Sequence, residues 1–149
     1  MIQKVKGKKY LINGGLGMIG STIAKILVEA KAEVTIVDAM IKPFGANLFN
    51  IEEIKDRVKT RFFDIKDTEK MKKEIIGKDV ILNLAGQVAH NDSIVNPLYD
   101  AKMNYLYQLN IMECIRQVNP NAKTVFSGSR LQFGKIENVP VDESQASCP

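Results

Sequence analysis

Between Lys9 and Gly20 the chain reads Lys-Tyr-Leu-Ile-Asn-Gly-Gly-Leu-Gly-Met-Ile-Gly, a short apolar strand that runs into glycines and then opens an amphipathic helix. Few folds can use such a stretch. Gly14 and Gly15 have the backbone freedom of a tight turn, Gly17 lets the main chain approach an anion with no Cβ in the way, and Gly20 lets the next helix pack close. A helix beginning near Gly17 aims unpaired N–H groups and the positive end of its dipole at that anion. The interaction is worth about 0.3–1 kcal/mol when exposed and up to ~2 when partly buried. The stretch therefore predicts a cradle for the phosphates of a dinucleotide.

Two glycine registers fit the same residues. Gly15, Gly17 and Gly20 make the G-x-G-x-x-G of ordinary dinucleotide-binding dehydrogenases, and Gly14, Gly17 and Gly20 make the G-x-x-G-x-x-G of short-chain dehydrogenase/reductases. Spacing alone leaves both open. The next strand, Glu33 to Asp38, ends in an acid placed to accept hydrogen bonds from the adenosine ribose hydroxyls. Its charge would repel a 2′-phosphate, which predicts NAD rather than NADP.

The rest of the chain keeps alternating. Strands are expected at Lys9 to Asn13, Glu33 to Asp38, Val58 to Phe63, Asp79 to Leu84 and Ala122 to Phe126. A helix over Gly17 to Lys31 should turn Ile19, Ile23, Ile26, Leu27 and Ala30 to the sheet. Asn47 to Asp56 has the composition of a short helix, and Asp67 should cap a helix over Thr68 to Ile76 that Gly77 stops. Residues 39–50, with Pro43 and Gly45, read as a loop, as do residues 87–96. Pro97 then starts one long helix to Asn119, with Leu98, Ala101, Tyr105, Leu109, Met112 and Ile115 as its stripe. After Ser127-Gly128-Ser129 the chain reads as a polar tail without helical pattern.

This order predicts an α/β fold, a Rossmann-type doubly wound parallel sheet of about five strands. Ligands of such sheets bind at the carboxyl strand ends, where the strand order reverses. The glycine loop, Asp38, Ala85-Gly86 and Ser127 to Ser129 all belong to that edge.

With 149 residues, 45% of them hydrophobic and 26% charged, a single domain with a real core is expected. No apolar run is long enough to span a bilayer, and nothing in the first residues directs the chain out of the cytoplasm. Cys114 and Cys148 form neither a disulfide nor a metal framework and are expected to be free thiols. The charge of +4 is concentrated in Lys4, Lys6, Lys8 and Lys9, a solvated lysine-rich edge without the aromatic or motif support of a nucleic-acid binder.

These landmarks together resemble the NAD-dependent nucleotide-sugar epimerase/dehydratase family of extended short-chain dehydrogenase/reductases. The matching stretches are residues 13–20, Val37-Asp38, residues 62–67 and 82–87, Asn96 to Tyr99 with Asn104, and Val125 to Ser129 before Phe133-Gly134. The resemblance implies that Gly14, Gly17, Met18, Ile19 and Gly20 hold the pyrophosphate and Asp38 the adenosine ribose. Asp64 and Ile65 would meet the adenine, and Leu84, Ala85 and Gly86 the nicotinamide-side ribose. Ser129 would be the catalytic hydroxyl that hydrogen-bonds the sugar hydroxyl being oxidised. The substrate would be a nucleotide-sugar, and a homodimer or other self-association is expected.

One departure matters. The family's base is a Tyr followed four residues later by Lys, whose charge helps bring the phenol pKa down from about 10. Here Tyr10, Tyr99, Tyr105 and Tyr107 are followed at that spacing by Gly14, Met103, Leu109 and Ile111. Residues 1–149 thus read as the cofactor-binding portion of such an enzyme, truncated before the catalytic Tyr/Lys helix, with the substrate domain absent and no activity alone. A non-catalytic NAD-binding module is the alternative. The nucleotide half of a hydroxyacid dehydrogenase fits the glycines but leaves Leu84 to Gly86 and Ser127 to Ser129 unexplained. His90 has no partner acid or metal ligand at fixed spacing, Arg130 and Gln132 could reach a nucleotide diphosphate, and Asn104 could brace its helix through a water or be solvated.

Overall fold

Alternation within each strand sends side chains to both faces of a parallel sheet, and helices cover both faces of its inner strands while the edge strand Lys123–Phe126 stays exposed along its length. The computed structural model describes residues 4–42, 45–136 and 139–145, so the expectations for Pro43 and Cys148 fall outside it. The strands are β1 (Lys9–Asn13), β2 (Glu33–Asp38), β3 (Val58–Phe62), β4 (Val80–Asn83) and β5 (Lys123–Phe126). Every pairing is parallel and the order is β3-β2-β1-β4-β5, so the progression reverses between β1 and β4.

Tyr10 and Ile12 of β1, Val34 and Ile36 of β2, and Leu82 of β4 point to one face. There they pack on Ala24, Leu27 and Val28 of helix α1 (Met18–Glu29) and on Ile51 and Ile54 of a 3₁₀ segment, Leu48–Arg57. Leu11, Val37 and Ile81 point to the other face, against Met71 and Ile75 of α2 (Thr68–Ile75). Further along, after α3 (His90–Val95) and α4 (Pro97–Ala101), α5 (Tyr107–Val118) adds Ile111, Cys114 and Ile115 to that layer. Each fully buried aliphatic side chain contributes roughly 1.5–3 kcal/mol. Cys114 is a free thiol, and burial pushes its pKa up.

Local signals act as their chemistry demands. Asp67 Oδ1 accepts the Lys70 N–H at 3.2 Å and caps α2, while Gly77, with a φ of 70°, lies just beyond the helix end. Asn47 caps the 3₁₀ segment through Phe49 N–H at 2.9 Å.

Three expectations need correction. In α1 the buried face is Gly20, Ser21, Ala24, Leu27 and Val28, whereas Ile19 and Ile26 are 59% and 63% exposed. The cause lies at Gly20: a Cβ built there would stand 2.5 Å from the Gly14 carbonyl oxygen, so this edge of the helix must face the glycine loop. That contact sets the rotation of the whole helix, and the isoleucines fall to its side.

The second correction concerns residues 87–119. His90–Val95 is helical rather than loop, and the following helix is interrupted by a π turn over Lys102–Leu106 that joins α4 to α5. The wider turn breaks the regular spacing of the helix and takes Met103 into the core. Of the expected stripe Met112 and Ile115 pack in the core, while Leu98, Tyr105 and Leu109 are exposed and Met103, Ile111 and Cys114 are buried. Third, the stretch after Ser129 is not patternless, because Arg130–Phe133 forms a short 3₁₀ turn.

Candidate functional site

The carboxyl ends of the parallel strands bound a cleft with two lobes. Residues from all the inner strand ends meet there because the sheet is in register: Asn13 is level with Val37 and Asn83, and Asp38 with Phe62.

The first lobe, about 490 Å³, is lined by Gly14, Gly17, Met18, Ile19, Gly20, Asp38, Asp64, Ile65, Leu84, Ala85 and Gly86, together with Val37, Met103, Ser127 and others. The residues expected to hold a cofactor are thus brought together in one place. Gly14 has a φ of 75° and its Cβ would collide with Ala85 N at 2.9 Å, so this position admits only glycine. The positive φ falls at Gly14, the first glycine of the G-x-x-G-x-x-G register, while Gly20 is common to both registers.

The N-terminus of α1 is capped by Gly17 with no side-chain acceptor and no acid in its first turn. The first intrahelical bond is Ser21 N–H to Gly17 C=O at 3.0 Å. The N–H groups of Met18, Ile19 and Gly20 therefore have no acceptor within the helix, and they open on the lobe. An anion fits this end.

Asp38 lies at the far wall, 9% exposed. Its Oδ2 accepts Leu16 N–H at 3.0 Å and its Oδ1 accepts Met40 N–H at 2.8 Å. Both bonds fix the carboxylate against the glycine loop and hold Met40 at a φ of 50°. Each oxygen keeps a further lone pair for a hydroxyl. Asp64 has two roles at once: it lines the lobe, and its Oδ1 accepts Lys66 N–H at 3.0 Å while Lys66 Nζ stands 3.4 Å from Oδ2. Next to it, burial and the Asp64 charge raise the pKa of Tyr99, whose buried hydroxyl has no partner among the described residues.

The second lobe, about 700 Å³, lies on the β4–β5 side and is lined by Leu84 to His90, Ser93, Asp100, Asn104, Gln108 and Phe126 to Ser129. Ser129 is there, away from the first lobe's phosphate cradle. His90 is exposed at the start of α3, and its carbonyl accepts the Ser93 hydroxyl at 2.7 Å. Gln132 reaches toward Gly128, where an added Cβ would stand 3.2 Å from its Oε1. The side chain of Arg130 is outside the described set.

Asn104 braces this wall directly. Its Oδ1 accepts Gln87 N–H and its Nδ2 donates to Gln87 C=O, both at 2.9 Å, with a third bond from Nδ2 to Asp100 Oδ1 at 3.0 Å. The loop after β4 is thereby clamped to the π turn. Sequence reasoning had no access to this clamp or to Gln108, because each depends on where the π turn puts the helix face. No group of histidine, cysteine, aspartate and glutamate side chains able to hold a metal exists among the described residues.

A family model described as GDP-mannose 4,6 dehydratase matches residues 11–149. The chain belongs to the nucleotide-sugar epimerase and dehydratase family. It is 30% identical over 146 residues to the UDP-glucose 4-epimerase of Streptomyces lividans, covering 95% of this chain and 42% of that one. The solved UDP-N-acetylglucosamine 4-epimerase of Methanobrevibacter ruminantium, in complex with UDP-N-acetylmuramic acid, is 27% identical. It aligns with a TM-score of 0.83 over 97% of this chain and 45% of its own. The UDP-glucose 4-epimerase of Brucella ovis in complex with NAD, at 19% identity, shares the fold with a TM-score of 0.82 over 96% of this chain and 42% of its own. This family member spans about two fifths of the length of the curated relatives it matches. Among the described residues no helix is long and apolar enough to cross a membrane.

Proposed function

We propose that residues 1–149 hold NAD for a nucleotide-sugar epimerase or dehydratase. One observation carries this reading: an anion-ready helix N-terminus with a glycine-only turn shares a single lobe with an anchored, buried carboxylate. The Met18, Ile19 and Gly20 amides would hold the pyrophosphate, and Asp38 the adenosine ribose hydroxyls. Asp64 and Ile65 would meet the adenine, and Leu84 to Gly86 the ribose next to the nicotinamide. NAD bound there supplies a reversible hydride acceptor, so that a sugar carbon can be oxidised and later reduced. In the second lobe Ser129 would hydrogen-bond the sugar hydroxyl that is oxidised.

Calorimetric titration tests the cofactor and its selectivity. Saturable binding of NAD+ is expected, with NADP+ weaker because its 2′-phosphate would approach the Asp38 charge. Equal affinity for the two, or NADP+ binding more tightly, would contradict the role given to Asp38.

Residues 1–149 contain no Tyr followed four positions on by Lys. That observation favours, for a polypeptide of these residues alone, a cofactor-holding module that does not turn over sugar nucleotide. We also propose that the module self-associates through the helical face bearing Leu98, Tyr105 and Leu109, which are 74%, 70% and 54% exposed. Light scattering should show mass rising with concentration, and a Tyr105→Glu/Leu109→Glu variant should stay monomeric. A wild-type chain that is monomeric at all concentrations would remove this proposal.

A further inference from the structure

Gln108 faces two main-chain carbonyls, and that fixes the direction of a buried chain of amides. Its Nε2 donates to Ala85 O at 2.9 Å and to Met103 O at 2.8 Å. A carbonyl only accepts, so the group turned toward both must be the –NH₂, and Oε1 must face the other way. There it accepts Asn83 Nδ2 at 2.6 Å. Asn83 is then left with its Oδ1, which accepts Asn13 Nδ2 at 3.3 Å. Asn13 and Asn83 are fully buried and Gln108 is 7% exposed.

This chain joins the residue before the glycine turn to the Ala85 and Met103 carbonyls, and Ala85 and Met103 line the same lobe as the turn. Main-chain bonding runs alongside it, with Leu84 N–H donating to Asn13 C=O at 3.0 Å. Buried amides give little net stability compared with well-packed apolar side chains, and an orphaned one is destabilising. What they supply is geometry. At the far end Asn13 Oδ1 is buried without a partner among the described residues, so one acceptor is left unmatched in order to keep the direction of the others.

We propose that Asn13, Asn83 and Gln108 are positioning residues that hold the Ala85 and Met103 carbonyls, and with them the loop after β4 and the π turn, against the ends of β1 and β4, and so fix that wall of the cofactor lobe. The proposal rests on the NAD reading, and its test separates the two. In a Gln108→Leu variant of the 149-residue chain, hydrogen–deuterium exchange without cofactor should accelerate about tenfold or more over residues 84–89 and 102–106, with little change in β2 and α1. NAD+ affinity should fall by about tenfold, the cost of about 1.4 kcal/mol.

A second variant guards against simple loss of folding. Asn13→Val combined with Asn83→Val and Gln108→Leu removes the unpaired amides together. It should recover most of the melting temperature lost by Gln108→Leu while NAD+ affinity stays low. Faster exchange spread evenly over the sheet, unchanged exchange at residues 84–89, or affinity that recovers along with melting would overturn the proposal. A wild-type chain that binds no NAD+ would defeat the cofactor reading, and the exchange pattern would still decide whether the amides position this wall.

Discussion

Replacing Asp38 with alanine is expected to weaken NAD+ binding by about 10- to 100-fold, because hydrogen bonds to an ionised group are worth roughly 1.5–3 kcal/mol. The loss has two sources. The ribose hydroxyls lose their acceptor, and the Leu16 and Met40 amides lose the oxygens that hold the loop at 3.0 and 2.8 Å. Leu16 is fully buried, so its N–H is left without water, at a cost of about 1–3 kcal/mol in stability. NADP+ binding should fall less than NAD+ binding, since the substitution also removes the charge that repels a 2′-phosphate. Asp38→Asn, which keeps one oxygen acceptor, should fall between the two. Parallel calorimetric titrations read all of these, and unchanged NAD+ affinity in Asp38→Ala would place the ribose elsewhere.

The second large effect is at Gly20. Gly20→Ala puts a methyl 2.5 Å from Gly14 O and 2.7 Å from Gly15 Cα, both main chain and unable to yield as a side-chain tip could. Either α1 withdraws or the turn deforms. Overpacking of this kind costs about 1–3 kcal/mol, roughly 5 °C in melting temperature for a domain of this size. Cofactor binding should disappear with it, because the same turn sets the phosphate cradle. Gly17→Ala is the informative contrast: its φ is −72° and the nearest atom to the added methyl is 3.4 Å away. Melting should be unchanged there, while NAD+ affinity drops because the methyl stands at the open helix N-terminus inside the lobe. If Gly17→Ala and Gly20→Ala lower melting equally, the steric account of the turn is wrong.

Much of the fold was legible because its signals are local. The bounds of β1 and β2, the Asp67 cap and the Gly77 stop follow from single residues and short spacings. The eleven expected cofactor residues gather in one lobe because each stands at or just beyond the end of β1, β2, β3 or β4, and parallel pairing puts those ends on one edge.

What was misread depends on contacts between elements. Ile19 and Ile26 extend a persuasive stripe in α1, of which Ile23 does pack on the core, yet the closest approach in the fold needs Gly20 and Ala24 inside, and smallness rather than hydrophobicity decides the rotation. A π turn leaves no mark in hydrophobic spacing, so the expected stripe holds at Met112 and Ile115 but not at Tyr105 and Leu109. His90–Val95 carries Asn91, Asp92 and Ser93, residues that favour turns when isolated, so the stretch reads as loop from sequence. Gln108 is illegible for a related reason: a polar side chain on an amphipathic helix reads as solvated until the structure buries it.

The most direct test of the account is amide mapping by ¹⁵N-labelled NMR during NAD+ titration of the 149-residue chain. The account predicts saturable shifts concentrated at Gly14 to Gly20, Ala39, Ile65, Ala85 and Gly86, with α2 and the outer face of α5 unchanged. Saturable shifts centred elsewhere, or none at millimolar NAD+, would contradict it.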